Sequence, residues 1–394
     1  MRESRILWLL AVVAAVTVAN LYYCQPLLAM IGAAFHADIH ETGFVATMTQ
    51  VGYAAGMLLV VPLGDAVERR GLIVTMSALA TVAVLAVALA PSLALLAAAS
   101  FALGLATCVP QLVVPYAATL VPGSGRGRAI GRVMSGLLIG ILLSRTASGL
   151  VGAHFGWRAI YFVAFAAMIA VTLLLRVALP AQPPTQRVPY LELLRSLPGL
   201  VRREPLLRRH ALLGALAFAA FSAFWTTIVF LLGTSPHHYG PDVAGLFGIV
   251  GVSGALAAPV VGRIADKHGT RVVNGIALGF VLLGWVLFAL FWRSLLGIAA
   301  GVIALDVGAQ ANHISNQARV LGLSAEHRNR LNTVYMVSYF VGGAAGSLAG
   351  AGAFEAFGWA GTCAFGLAVS VAALAAYALV GREAAVRADL ASAT

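Results

Sequence analysis

Two ionisable side chains, Asp306 and Arg145, stand deep inside otherwise apolar stretches of this 394-residue chain. A charge in hydrocarbon costs about 2.5–3.5 kcal/mol on insertion scales, so such a residue faces a cavity or a partner. An arginine cannot in practice give up its proton, whereas an aspartate can bind and release one. Asp306 is therefore expected to carry protons, the alternative being a structural hydrogen bond to a neighbouring helix. Arg145 is expected to act as a fixed charge, either binding an anionic group or holding helices together. Asp306, Gln310 and His313 are spaced i, i+4 and i+7, which is one helical face. His313 is either a proton relay with Asp306 or a satisfied buried histidine.

Other polar side chains interrupt the same apolar stretches. Asn20, Tyr23, Gln25, Gln50, Gln111, Gln310 and Asn312 form, with Arg145, a candidate substrate cavity. The competing role is hydrogen bonding between helices. Phe218, Phe221, Phe224 and Trp225 make an aromatic face, and Phe221 and Trp225 are counted with the cavity. Such rings stack on a flat substrate, or simply pack in the core or against lipid. His237-His238 has no third ligand at useful spacing, so no metal is expected. Cys24, Cys108 and Cys363 fall in apolar stretches as small core residues, with no disulfide framework implied. The run Gly123-Ser124-Gly125-Arg126-Gly127 lacks the Gly-Lys-Ser/Thr ending of a P-loop, so neither nucleotide drive nor any cofactor is expected.

The elements that must position these residues follow from composition. The chain is 61% hydrophobic and 10% charged, against about 25% charged in soluble domains. Its apolar matter falls into twelve blocks near the ~20 residues a spanning helix needs. In the first half they are roughly 6–30, 43–63, 72–89, 93–118, 129–153 and 158–179. In the second they are roughly 210–232, 242–261, 270–291, 295–317, 331–354 and 359–380. The first block, preceded by Arg2 and Arg5, is longer than a signal-peptide core and reads as an uncleaved spanning helix.

The halves repeat one another. An offset of 202 carries Arg126 onto Arg328, Arg128 onto Arg330, Met134 onto Met336 and Gly140 onto Gly342. It also carries Phe155-Gly156-Trp157 onto Phe357-Gly358-Trp359 and Gly52 onto Gly254. The expected fold is all-α and integral to the membrane, with twelve helices in two pseudo-symmetric bundles around a shared path, the geometry of a secondary transporter. The bundles are expected over 1–179 and 210–394, joined by a central loop over 180–209. In that loop Leu191, Leu194, Leu197 and Val201 recur at helical spacing between Arg195, Arg202 and Arg203. Two readings fit: a short helix lying on anionic lipid, or a plain tether.

The net charge of +11 does not point to nucleic acid. Of the 25 basic residues, 22 lie at the termini or in the loops after the even-numbered blocks up to the tenth, with Arg158 and Arg293 opposite. That asymmetry places both termini and the central loop in the cytoplasm. Glycines one turn apart recur in blocks 2, 5, 8 and 11. Because small residues let helices approach closely, these blocks are expected to form the seam between the halves.

At the end of block 2 stands Pro62-Leu63-Gly64-Asp65-Ala66-Val67-Glu68-Arg69-Arg70-Gly71, and after block 8 stands Gly262-Arg263-Ile264-Ala265-Asp266-Lys267-His268-Gly269. Each is expected to be a tight loop with an acid, nearby basic residues and a turn glycine. The acid accepts from helix N-terminal amides, and the basic residues pair across the cytoplasmic seam. Asp65, Arg69 and Arg70, with Asp266, Lys267 and Arg271, are thus candidate gating residues. On these loops the chain resembles the major facilitator superfamily, over essentially its whole length. The second copy fits the pattern Gly-x-x-x-Asp-(Arg/Lys)-x-Gly-(Arg/Lys) through Gly262, Asp266, Lys267, Gly269 and Arg271. The first departs, with Val61 in the leading position and two extra residues before Gly71. The segment Ala19-Asn20-Leu21-Tyr22-Tyr23-Cys24-Gln25-Pro26-Leu27-Leu28 is similar to that of proton-coupled efflux permeases, the arabinose-efflux-like and drug–proton antiporter branch. The branch's glycine motif in block 5 is partial: Gly131, Gly140 and Gly149 are present, but Ser144, Arg145 and Ser148 replace two glycines and the proline.

The resemblance implies alternating access and a central cavity lined mainly by blocks 1, 4, 7 and 10. It implies proton-coupled efflux of a small organic substrate such as a sugar or amphiphilic drug, by a monomer in the cell (inner) membrane. A proton symporter or facilitator that imports a solute is the alternative that the degraded block 5 motif keeps open. A membrane-embedded enzyme would show clustered acids or histidines at one membrane face, and a sensor would carry an added soluble domain. Neither feature is present in the sequence.

Overall fold

The computed structural model describes residues 2–121, 125–182, 190–324 and 327–392, and among them it is helical with no β-strand. The helices run α1 (Arg2–Ala19), α2 (Leu28–Phe35), α3 (Ile39–Leu59), α5 (Arg69–Leu89), α6 (Leu93–Ala106), α7 (Val109–Leu120), α8 (Arg126–Phe155) and α9 (Trp157–Ala178). A four-residue α4 (Leu63–Ala66) lies between α3 and α5. They continue with α10 (Tyr190–Arg203), α11 (Pro205–Gly233), α12 (Pro241–Val250), α13 (Val252–His268), α14 (Thr270–Phe291), α15 (Leu295–Leu321) and α16 (Arg328–Ser392). Among the described residues eight helices are long and apolar enough to cross a membrane, and each of the twelve apolar blocks is mainly helical. Side chains such as Val82, Leu173, Val177, Leu290 and Leu296 stand more than half exposed, as a lipid-facing belt requires.

The duplication reappears in the helix ends. Ser92 and its repeat mate Ser294 cap α6 and α15, their hydroxyls accepting from Leu95 N and Gly297 N. Gly156 and Gly358 both take positive φ, 83° and 62°, between consecutive spanning helices. At Gly358 the two last spans run together as α16. Only a residue without a Cβ adopts that backbone readily, so the repeated Phe-Gly-Trp marks two equivalent turns.

Three blocks are broken. Block 1 unwinds after Ala19 into tight turns, then a short 3₁₀ segment, Gln25–Leu27. Pro26 explains this, since it lacks an N–H and its ring clashes with the carbonyl four residues back. The fourth block breaks between α6 and α7, just before Pro110, and the eighth breaks at Gly251. Irregular backbone at membrane depth is tolerated only where protein or a cavity surrounds it.

The chain forms two compact units, one of residues 1–197 with 225–249 and the other of 198–224 with 250–394. These do not coincide with the sequence halves, because the C-terminal part of α11 and α12 up to Ile249 belong to the first unit. Within the first unit α1 packs on α8, α3 on α6 and α5 on α9; within the second α14 packs on α15 and α13 on α15. The glycines serve these contacts. Gly136 and Gly140 of α8 lie against Ala11 and Ala15 of α1, and Gly52 and Gly56 of α3 against Phe101 and Leu105 of α6. Gly342, Gly346 and Gly350 of α16 lie against Ala215, Ala219 and Ala223 of α11. This corrects the seam reading for those glycines, since the close approach they permit lies inside a unit. Gly346→Leu should therefore be severe. Its Cβ alone would overlap the backbone of Ala219, and overpacking of this kind costs about 1–3 kcal/mol or more. Gly131→Ala, with nothing within 4 Å of the added atom, is the control. Detergent size-exclusion profiles should show aggregation for the first variant and a wild-type peak for the second.

Candidate functional site

In the first unit the break in block 1 presents Tyr22 and Gln25 to α8. Arg145 Nε donates to Gln25 Oε1 at 2.7 Å. Its guanidinium carbon lies 4.7 Å from the Tyr22 ring centroid and 4.1 Å from that of Trp225 on α11. Only 1% of Arg145 is exposed. Helix α12 adds the remaining wall: the Thr146 hydroxyl donates to Gly245 O at 2.9 Å, and a Cβ on Gly248 would stand 3.0 Å from Arg145 Cβ. A permanent positive charge is thus held between two aromatic faces, where the ring quadrupoles attract it. Of the expected cavity residues, the structure brings Gln25, Arg145 and Trp225 together.

Of the other expected residues of this unit, Asn20 and Tyr23 lie in block 1, Gln50 on α3 and Gln111 on α7. Asn20 is buried and donates to Val16 O at 3.4 Å, one turn back in block 1. Tyr23 is half-buried, edge-on to Tyr161. Gln50 is buried on α3, one turn from Tyr53, whose hydroxyl accepts from Gln111 at 3.4 Å. Tyr22 and Tyr53 escaped the sequence reading. The signal was present, since two adjacent tyrosines precede Gln25 in a block otherwise rich in alanine and valine.

In the second unit Asp306 lies near the middle of α15 with 4% of its surface exposed. Helix α13 approaches it through Gly254, where a Cβ would meet the Asp306 carbonyl oxygen at 2.8 Å. His313 does not meet Asp306, because seven residues at ~1.5 Å each separate them by about 10 Å along the helix. Its Nδ1 instead lies 3.1 Å from the Tyr335 hydroxyl, and its ring lies against Tyr335 and Tyr339. Asp306 and His313 are therefore not in direct contact with one another. Gln310 is half-buried between them.

Asn312 is a second correction. Its amide donates to Asn274 Oδ1, Asn274 donates to Asn316 Oδ1 at 2.7 Å, and Asn316 donates back to Asn312 Oδ1 at 3.0 Å. His210 of α11 adds a contact of 2.7 Å to Asn316 Oδ1. This closed ring clamps α14 to α15 and commits Asn312 to packing instead of a cavity. A lone asparagine at 274 in an apolar block was the sequence signal for it. The aromatic face of α11 divides likewise. Phe224 stacks on Phe288 at 4.1 Å in the core, while Phe218 stacks on Tyr339 at 4.0 Å and on the half-buried Phe221 at 5.6 Å.

The side chains of Asp65 and Asp266 lie outside the described residues. Around the first loop the visible acid is Glu68. It caps α5, accepting from Arg70 N at 2.8 Å and Gly71 N at 2.6 Å, and it also accepts from Gln182 N at 3.0 Å. Partial burial pushes its pKa up, but these three amides and the Arg70 charge outweigh that and hold it below the usual carboxylate range. Gly71 is thus inside the first turn of α5, not the turn residue expected. In the second loop Gly269 does take that role, with φ 85° ahead of α14. Arg69 Nε donates to Gly64 O at 2.8 Å and Arg70 Nη2 to Arg176 O at 2.6 Å. Lys267 and Arg271 are exposed. Among the described residues no group of three or more His, Cys, Asp or Glu could hold a metal.

Polar and charged side chains turned inward, in helical units that expose apolar belts outward, define a membrane-spanning protein of the secondary-transporter class. The chain belongs to the Major Facilitator Superfamily, whose model matches residues 8–322 and again 211–393. It is 41% identical over 363 residues to the transporter YgaY of Escherichia coli (strain K12), covering 92% of each chain. It is 28% identical over 305 residues to the chloramphenicol efflux pump Rv0191 of Mycobacterium tuberculosis, covering 73% of this chain and 70% of the pump. The crystal structure of a bacterial homolog of the human lysosomal transporter Spinster is similar over 97% of both chains, with TM-score 0.78 at 15% identity, a likeness of fold alone. This is a transport protein, not an enzyme.

Proposed function

We propose that the protein exports a small organic molecule from the cytoplasm in exchange for protons, by alternating access. The observation that carries this reading is Asp306, a carboxyl group with 4% exposure in the middle of an apolar spanning helix. Such a group is costly to keep unless it does work. It takes up and releases the coupled proton, while Arg145 stays charged throughout. Asn20, Tyr23, Gln50, Gln111, Phe221 and Gln310 line the substrate path, with His313 as a separate polar group further along α15. The loops of Asp65, Arg69 and Arg70 and of Asp266, Lys267 and Arg271 close the cytoplasmic side. Both termini face the cytoplasm, the membrane is the cell (inner) membrane, and one chain suffices. Export is favoured over import by the likeness to a chloramphenicol efflux pump.

The test uses everted membrane vesicles whose interior is made acidic by respiration. Sugars, amphiphilic drugs and organic acids are added in turn, and collapse of the pH gradient is followed. A compound that dissipates the gradient only in vesicles containing the protein is the expected result. Substrate uptake into whole cells driven by an inward proton gradient would overturn export and establish the importing symporter instead.

A further inference from the structure

Helix α10, between the two sets of six blocks, does not span the membrane. It is 14 residues long and strongly amphipathic. Leu193 and Leu197 are buried against the protein. Its two ends are pinned to the ends of spanning helices. The Tyr190 hydroxyl donates to Leu59 O, the last residue of α3, at 2.6 Å. At the other end Arg208, in the first turn of α11, donates to Val201 O at 3.2 Å and Arg202 O at 2.9 Å. These ties hold α10 at the depth where spanning helices end, which is the headgroup region.

A second face of the helix remains outward. Leu191, Arg195, Pro198 and Arg202 are all exposed and spaced i, i+4, i+7 and i+11, so they form one stripe that alternates apolar and cationic residues. Leu191 is 60% exposed. Exposed Arg203 and Arg208 flank the stripe. The acids nearby are Glu192, which is turned about 100° away from Leu191 on the helix, and Glu204, which follows the helix and is half-buried. A plain tether has no use for an exposed leucine between arginines. A surface that offers acyl chains and phosphates at one depth does.

We propose that α10 is an in-plane membrane anchor whose outer stripe binds anionic phospholipid, with Leu191 and Pro198 at the acyl boundary and Arg195 and Arg202 on the headgroup phosphates. The inference stands apart from the direction and coupling of transport. It ties the linker between the two sets of helices to the charge of the leaflet it lies on.

The full-length protein is tested in nanodiscs, which have no inside or outside, so the outcome is independent of membrane orientation. The three native cysteines are buried, so Leu191→Cys takes an environment-sensitive fluorophore selectively. Quenching is compared for headgroup-spin-labelled phosphatidylglycerol and phosphatidylcholine at equal mole fraction. Phosphatidylglycerol should be enriched around the probe on the order of fivefold per arginine engaged at low salt. The preference should fade in high salt and vanish in the Arg195→Gln/Arg202→Gln background. Added inorganic phosphate at constant ionic strength should not displace it, which separates a lipid from a free anion as the ligand. Equal quenching by the two lipids, or displacement by phosphate, would overturn the proposal. So would a probe that neither lipid quenches, since the helix would then stand clear of the membrane.

Discussion

Replacing Asp306 by asparagine is expected to reduce substrate-driven collapse of the pH gradient to the level of vesicles that lack the protein. Substrate exchange without a gradient should persist. Asparagine matches the size of aspartate and keeps an oxygen acceptor, so the close passage of Gly254 past the Asp306 backbone is undisturbed. What asparagine cannot do is bind and release a proton. The variant therefore separates coupling from folding, which an alanine would not. A coupling ratio unchanged in Asp306→Asn would assign the carboxyl to hydrogen bonding and leave the proton path elsewhere. Asn312→Ala is the natural contrast. It opens the asparagine ring and leaves Asn274 Oδ1 and Asn316 Nδ2 without those bonds. The cost is about 1–3 kcal/mol of stability, with coupling retained in the protein that survives.

The difference between these two residues shows what a single sequence reveals. Both are polar residues in the same apolar block, six positions apart. Period and composition place them on a spanning helix, and no more. Whether a polar side chain meets a cavity or another helix depends on the partner side chain, and for Asn312 that is Asn274, 38 residues away on α14. The blocks were legible because hydrocarbon demands a long apolar run whatever the tertiary contacts. The Phe-Gly-Trp turns were legible as a repeat, although their positive φ was not. The break in block 1 had its cause printed in Pro26, yet its consequence lies in space, where it turns Tyr22 and Gln25 toward Arg145. Gly248 of block 8 does approach block 5 at Arg145, but Gly52, Gly136 and Gly346 pack inside their own units, because spacing shows that a close approach exists without showing which helix approaches.

Arg145→Lys should be as damaging as removing the charge altogether, although it preserves it. The guanidinium is held by its shape. A planar group fits between Tyr22 and Trp225 and still directs Nε at Gln25, whereas an ammonium is a compact point charge on a flexible stem. Cation–π contacts in a desolvated place are worth up to about 2 kcal/mol each, and a hydrogen bond from a charged group about 1.5–3. Because these are not additive, a loss of about 2–4 kcal/mol is expected. The arginine joins the broken block 1, α8 and α11, so the loss should appear as a lower thermal midpoint in detergent at a fixed scan rate. A double-mutant cycle with Trp225→Leu reads the contact itself. Coupling of about 0.5–3 kcal/mol is expected if the guanidinium and indole act as one unit. Additive effects would show that Trp225 merely fills space. Transport assays on the same variants then divide the two roles. If Arg145→Lys folds less stably but transports normally, the residue is a clamp between helices. If transport falls while Trp225→Leu, equally destabilised, still transports, the forked charge itself acts on the substrate path. Only the second outcome makes an anionic group on the substrate a requirement of this site.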